Sequence, residues 1–264
     1  MKPERVRAGG LAGLLTGLLN HLRGRPARRM LGLLGAAALA IGAIGALTDI
    51  DLALADAMYD RAGAVFPWRH AWLAEVASHV YLKVVLSIAG GAFMLAAAWD
   101  GWRPIARWKR PLRMQVRCVA LSALLVPLVI AMLKQASSSH CPWDLAMYGG
   151  AEQYVRLLES ALPGVSRGHC LPAGHASTAL WLPSLAVFFL PGQPRRAAAV
   201  AALLFAVGFG VGWLQQLRGA HFLTHTLWSM WWAAAIIGTL LLPAQAVAPA
   251  SVAESAPGSA DSVS

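Results

Sequence analysis

An all-α fold is predicted: a polytopic membrane helical bundle of about six transmembrane helices with both termini cytoplasmic. Three observations predict it. The 264 residues are 58% hydrophobic and only 13% charged, more apolar than a soluble domain of this length uses. Apolar runs near the roughly 18 residues that a helical crossing needs fall at Met30–Leu47, Val80–Ala98, Cys118–Leu133, Ala176–Leu190, Ala197–Leu214 and Thr226–Leu242. Fifteen of the 22 Lys and Arg residues cluster in the N-terminal segment, the second connection (Arg103–Arg117) and the fourth (Arg195, Arg196), which the positive-inside rule makes cytoplasmic.

Taken in chain order, residues 1–29 form a basic cytoplasmic N-terminal segment. Within it Leu11–Asn20 has the look of a signal-peptide core. No small-residue cleavage site follows, and PARRM leads into a longer apolar run, so an interfacial amphipathic stretch is expected instead. Residues 30–242 are read as one six-helix membrane domain. After the first span, DIDLALADAMYDRAGAVFPWRHAWLAEVASH is too charged to cross, and is expected along the outer interface with Trp68 and Trp72 at headgroup depth. His79 and Lys83 share a helix face at i and i+4, and are read as an interfacial histidine and a snorkelling lysine. Residues 243–264, rich in Ala, Ser and Pro, are expected to be a disordered tail. The net charge of +10 borders membrane spans and no nucleic-acid module accompanies it, so no nucleic-acid partner is expected.

Chemistry concentrates in three stretches, LKQASSSHCPWD, CLPAGHAST and QQLRGAHFLTHTLW, which put Lys134, His175, Arg218, His221 and His225 beside span ends on the side opposite the cationic loops. Histidines together with fixed cations suit a phosphate ester, which needs a nucleophile, a proton donor and positive charge on its oxygens. Gln215, Arg218, His221 (or Phe222) and His225 recur at helical spacing, and ionisable groups at membrane level mark function by default. A helix starting at PAGHAS would turn backbone N–H groups toward phosphate. An anion transporter would predict repeated halves, and none is seen; a haem protein would predict histidines at mid-span, whereas most here sit at span ends.

The three stretches resemble, in order and spacing, the signatures KxxxxxxRP, PSGH and SRxxxxxHxxxD of the type-2 phosphatidic acid phosphatase superfamily. Lys134 with Cys141 and Pro142 fits the first; Pro172, Ala173, Gly174 and His175 fit the second; Leu214, Gln215, His221 and His225 fit the third. The resemblance implies a lipid phosphatase without metal or other cofactor. His221 is then the nucleophile that becomes phosphohistidine, and His175 is the acid that protonates the leaving oxygen and later activates water. Lys134, Arg218, Gly174 and, more weakly, Arg167 are the expected phosphate-binding residues. His225, Gln215 and Asp144 are expected to orient them.

Departures accompany the match: Cys141 and Gln215 stand in arginine slots, Ala173 in a serine slot, and His225 where the family has the aspartate that orients the nucleophile. They imply either a divergent subfamily with a rearranged phosphate cradle or an inactive relative. If the first two motifs converge, Cys141 and Cys170 are brought together and a disulfide is expected; a zinc site built from His140–Cys141 and His169–Cys170 is the alternative. Cys118 is read as a small hydrophobe. A membrane lipid phosphate is the expected substrate, with hydrolysis and phosphotransfer, the lipid's identity and the oligomeric state left open.

Overall fold

The computed structural model describes residues 24–157, 159 and 167–246, whose regular secondary structure is all helical, with isolated bridges as the only β pairing among them. The helices are α1 (Arg25–Leu47), α2 (Ile50–Met58), a π-helix (Leu73–Tyr81) that runs without a break into α3 (Leu82–Trp102), α4 (Arg110–Ala136), α5 (Gly174–Ser177), α6 (Pro194–Leu217) and α7 (Leu223–Ala246). Short 3₁₀ helices cover Pro142–Asp144, Ala146–Tyr148 and Leu182–Phe189. Three of the long helices carry proline in their first turn, where the missing N–H has no partner to lose: Pro26 in α1, Pro111 in α4 and Pro194 in α6.

Five helices of 20 to 30 residues are long and apolar enough to cross a membrane: α1, the π-helix with α3, α4, α6 and α7. The sixth expected span, Ala176–Leu190, is not one continuous helix. It is the single turn of α5, an irregular coil, and the 3₁₀ helix Leu182–Phe189. Pro183 cannot donate to an α-helical bond and disfavours α geometry at Leu182, which accounts for the break. The segment nevertheless runs the length of the bundle. It leaves Lys134 at one end, and at the other the side chain of Gln115, near the start of α4, donates to the carbonyls of Val187 (3.2 Å) and Leu190 (3.3 Å). The α4 residues it contacts at its two ends, Gln115 and Lys134, are 19 residues apart, about 28 Å at the 1.5 Å rise of an α-helix and close to the depth of a bilayer core.

Large apolar side chains point outward: Leu33, Leu39, Ile88, Leu95 and Leu203 are each more than 60% exposed. The interior is built from smaller groups and from α4, whose Val119, Val126 and Ile130 pack against Ala173, Ala176, Leu180, Trp181, Ala233 and Ile237. This distribution suits a lipid solvent, in which close backbone approach, rather than exclusion of water, joins helices. A second cluster of Ala55, Phe66, Leu145, Tyr148 and Phe222 caps the end of the bundle where α4 and α6 finish and α7 begins. Here α2 is anchored by Asp51, whose carboxylate accepts the backbone N–H of Thr224 at 3.0 Å and the Thr224 hydroxyl, and so caps the N-terminus of α7. In the segment after α2, Phe66 is buried while Trp68 and Trp72 are exposed.

The described part of the basic N-terminal segment, residues 24–29, belongs to the start of α1, and Leu11–Asn20 lies outside the described residues. At the other end α7 continues to Ala246, past the expected helix end at 242, and residues 247–264 lie outside the described residues.

The crossing of α6 and α7 rests on Gly212, where a Cβ would collide with the side chain of Thr226, whereas one on Gly210 would meet nothing within 4 Å. Gly212→Val is therefore expected to destabilise the fold by about 1–3 kcal/mol, as overpacked interiors do. Thermal unfolding in detergent checks this, with Gly210→Val as the control that carries the same β-branched cost without the clash.

Candidate active site

The three motif stretches meet at the capped end of the bundle because separate elements deliver them there. Lys134 comes from the last turn of α4. The chain after it doubles back, with Gly168, His169 and Cys170 donating to the carbonyls of Ser138, Ser137 and Ser139. Cys141 and Cys170 are joined by a disulfide across this pairing, their Cα atoms 5.4 Å apart. The second motif then enters α5, tied to α7 by Ala173 N–H donating to His225 O (3.0 Å) and Ser229 Oγ donating to Ala173 O (3.0 Å). The third motif lies on the turn between α6 and α7. Gly219 adopts a left-handed conformation there (φ 75°), and the Phe66 ring packs where a side chain would project.

The reacting pair of the sequence reading is in contact: Nδ1 of His175 lies 2.9 Å from Nε2 of His221. His221 is fully buried beside Cys170, with its Nδ1 3.3 Å from Cys170 Sγ and a further hydrogen bond to the Cys170 backbone. A disulfide sulfur has no proton to give, so the sulfur contact places a proton on His221 Nδ1 and leaves the lone pair on Nε2. Burial, followed by the charges of His79, Lys134 and Arg218, pushes His175 down to about 3. Burial, followed by His175, His225 and Lys134, puts His221 well below the ordinary histidine value. Both imidazoles are therefore neutral near pH 7.

In front of His175 lies a cavity of about 220 Å³, lined by Ser78, His79, Lys83, Lys134, Gly174, His175 and Thr178. Lys134 lies over Gly174, where a Cβ would sit 3.7 Å from Nζ. His79 packs on His175 with ring centroids 4.5 Å apart. Sequence reasoning assigned no role in the site to His79, Lys83, Ser78 or Thr178. The i, i+4 spacing of His79 and Lys83 was the one signal, and it reads equally well as an interfacial pair.

The other expected site residues are placed differently. Arg218 is almost fully buried and its fork is engaged: Nε donates to Arg69 O (2.9 Å), Nη1 to Gln215 Oε1 (3.0 Å) and Nη2 to Glu75 (3.4 Å), with Trp143 stacked 5.8 Å away. Its charge reaches His175 through space, but its side chain does not line the cavity. Gln215 is wholly buried and donates to Ala74 O and Ser78 Oγ, both at 3.0 Å, which fastens α6 to the π-helix. His225 pairs through Nε2 with Ser139 Oγ (3.1 Å), its ring 5.8 Å from that of His221, so Cys170 rather than His225 holds the buried imidazole. Asp144 accepts the Cys141 N–H (3.3 Å) and caps a 3₁₀ turn, and Arg167 is exposed and outside the cavity lining.

The ligand atoms of Cys141, Cys170 and His221 all lie within 4.8 Å of one another, but the disulfide engages both sulfurs, so the thiolates that a zinc site requires are not present. Closing this loop, with its sequence separation of 29, restricts the unfolded chain by about 3–4 kcal/mol. Reductant or Cys141→Ser is accordingly expected to lower thermal stability and to cut activity, because Cys170 carries His221, while Cys118→Ser leaves both unchanged. Unfolding and phosphate release measured with and without reductant check it.

The model of the PAP2 superfamily matches residues 115–246, half of the chain, and that stretch contains Lys134, His175 and His221 in the order found in the site. No curated relative and no solved structure matches the chain. With the family match added to a helical membrane-type bundle and a histidine pair beside a cationic cavity, the chain belongs to the PAP2 superfamily, a family of phosphatases.

Proposed function

We propose that this protein is an integral membrane phosphatase that hydrolyses a lipid phosphate or diphosphate monoester through a phosphohistidine, without a metal ion. The observation that carries the reading is the hydrogen-bonded His175–His221 pair behind a cavity holding Lys134. The ester's phosphoryl group enters beneath Lys134 and the backbone of Gly174. As a dianion arrives it raises the proton affinity of His175, which takes up a proton and swings from its bond with His221. His221 Nε2 then attacks phosphorus, the P–O ester bond breaks, and His175 gives its proton to the leaving oxygen. In the second half-reaction His175 removes a proton from water, whose oxygen attacks phosphorus as the P–N bond breaks and phosphate leaves. A lipid hydroxyl in place of water gives phosphotransfer by the same steps.

Lipid character is supported by α3, which lends Lys83 to the cavity while Val84, Val85 and Ile88 on the same helix are more than half exposed, so a phosphate can enter while its acyl or prenyl chains stay in the bilayer. The Arg103–Arg117 and Arg195–Arg196 connections lie at the end of the bundle opposite the cavity, which supports an active site facing the periplasm or exterior of a bacterial-type plasma membrane.

A second assignment of roles has one observation in its favour: His175, not His221, forms the cavity wall. With a proton on His175 Nδ1 donated to His221, its Nε2 carries the free lone pair, and attack from His175 needs no movement of the ring. Acid-quenched protein incubated with a radiolabelled phosphorylated substrate and mapped by mass spectrometry separates the two. The label is expected on His221; label on His175 exchanges the roles, and label on neither ends the covalent mechanism.

His221→Ala and His175→Ala are each expected to lower turnover by about a hundredfold or more with the fold retained, as loss of a group in the bond-making step does. Phosphate release from a panel of lipid phosphates, alongside thermal unfolding, tests this, and near-wild-type turnover in both variants would overturn the proposal. Activity is also expected to survive EDTA and to be inhibited by vanadate, because cations of the chain supply the positive charge; loss on chelation with recovery on adding zinc or magnesium would refute that part.

A further inference from the structure

We infer that His79 and Lys83, which lie outside the family-matched region, are phosphate-binding residues, and that the helix they share, the π-helix continued as α3, supplies through Lys83 positive charge missing from the two arginine slots. This rests on the phosphoryl-transfer reading of the cavity and adds to it a source of binding outside the motifs.

Both arginine slots are put to other use. Cys141 is in the disulfide, and Gln215 spends its amide on Ala74, Ser78 and Arg218. Arg218 is turned to Glu75 and the Arg69 carbonyl. Of the motif cations only Lys134 faces the cavity, too little for a phosphoryl dianion in a low-dielectric site. His79 and Lys83 line the same cavity, His79 against the ring of His175 and Lys83 one turn further along the helix. Among the described residues no carboxylate pairs with Lys83 or Lys134. Two ammonium groups that face one cavity without a carboxylate partner among the described residues favour an anion between them.

The wide coil of Leu73–Tyr81 contributes to this arrangement. π-Helical turns are rare and favour functional sites, because the helix bulges and redirects the side chains that follow. This one is held where it bulges: Gln215 grips Ala74 O and Ser78 Oγ, and Arg218 grips Glu75. The residue in the third motif's arginine slot thus positions the helix that carries His79 and the replacement cation, Lys83. A surface lysine that snorkels to the interface would need neither the latch nor the cavity.

The test is direct binding of inorganic phosphate and of vanadate to the purified full-length protein in detergent, followed by calorimetry. Lys83→Met is expected to weaken phosphate binding by about tenfold or more, as loss of a charge-assisted contact does, with Lys83→Arg keeping most of the affinity and His79→Ala losing several-fold. The salt dependence of binding should flatten in Lys83→Met, and thermal unfolding should be unchanged; neither readout pattern comes from a structural defect. Lys134→Met is the arm that reports on the cavity itself. Wild-type affinity in Lys83→Met with affinity lost in Lys134→Met overturns the role of Lys83 and leaves the phosphatase reading standing. Unaltered affinity in both variants, or no phosphate binding by the wild-type protein, removes the site and this inference with it.

Discussion

Gln215 has no contact with solvent, and its amide is fully committed: both N–H bonds go to the π-helix, at Ala74 O and Ser78 Oγ, and the oxygen receives Arg218. In a bundle that has no water to fall back on, a side chain placed in this way cannot be removed without stranding its partners, at about 1–3 kcal/mol for each buried group left unpaired. Through it the end of α6 and the beginning of the π-helix become one body. Arg218 extends the same connection to Glu75 and to the Trp143 face, and Trp143 N–H reaches back to Gly219 O. The turn that presents His221 is thereby fixed from both sides.

His221 itself is held by the backbone of the second motif instead of by a carboxylate. Cys170 contributes its backbone and its sulfur, and the disulfide fixes Cys170 relative to the end of α4 and hence to Lys134. A neutral partner orients an imidazole as well as a carboxylate does, but it stabilises the cationic ring less. Together with the burial that keeps both histidines neutral, this means that in the proposed mechanism the charge that brings a proton onto His175 has to come from the arriving phosphate.

The parts of this site that follow from local pattern were legible in the sequence. Lys134, His175 and His221 stand at fixed spacings beside apolar runs, and five of the six runs are helices long enough to span a membrane. What was not legible depends on contacts between residues far apart in the chain. Gln215 reaches a helix 141 residues earlier, and nothing in QQLRGAH announces it. Arg218 had the right distance along a helix to replace a lost arginine, but its direction was set by Glu75, 143 residues away. The run Ala176–Leu190 has the composition of a spanning α-helix, and apolar counting does not register that Pro183 breaks the α-helical bonding and leaves a 3₁₀ coil. His79 and Lys83 were visible as a pair, while the cavity that gives the pair meaning is closed by two other elements, α4 and α5 with its C-cap.

The π-helix makes length a sensitive variable in one helix of this bundle. Each residue of a regular α-helix turns the chain through about 100°, so one residue added or lost between the latched Ala74 and Lys83 would swing the ammonium by roughly a quarter turn or more, from the cavity wall toward the surface where Val84, Val85 and Ile88 face outward. In α1, which offers mostly apolar side chains to its surroundings, the same change would exchange one hydrocarbon-facing residue for another. In this chain, then, the register of a helix outside the signature motifs decides what the cavity wall presents, as much as the identity of the residues within the motifs does.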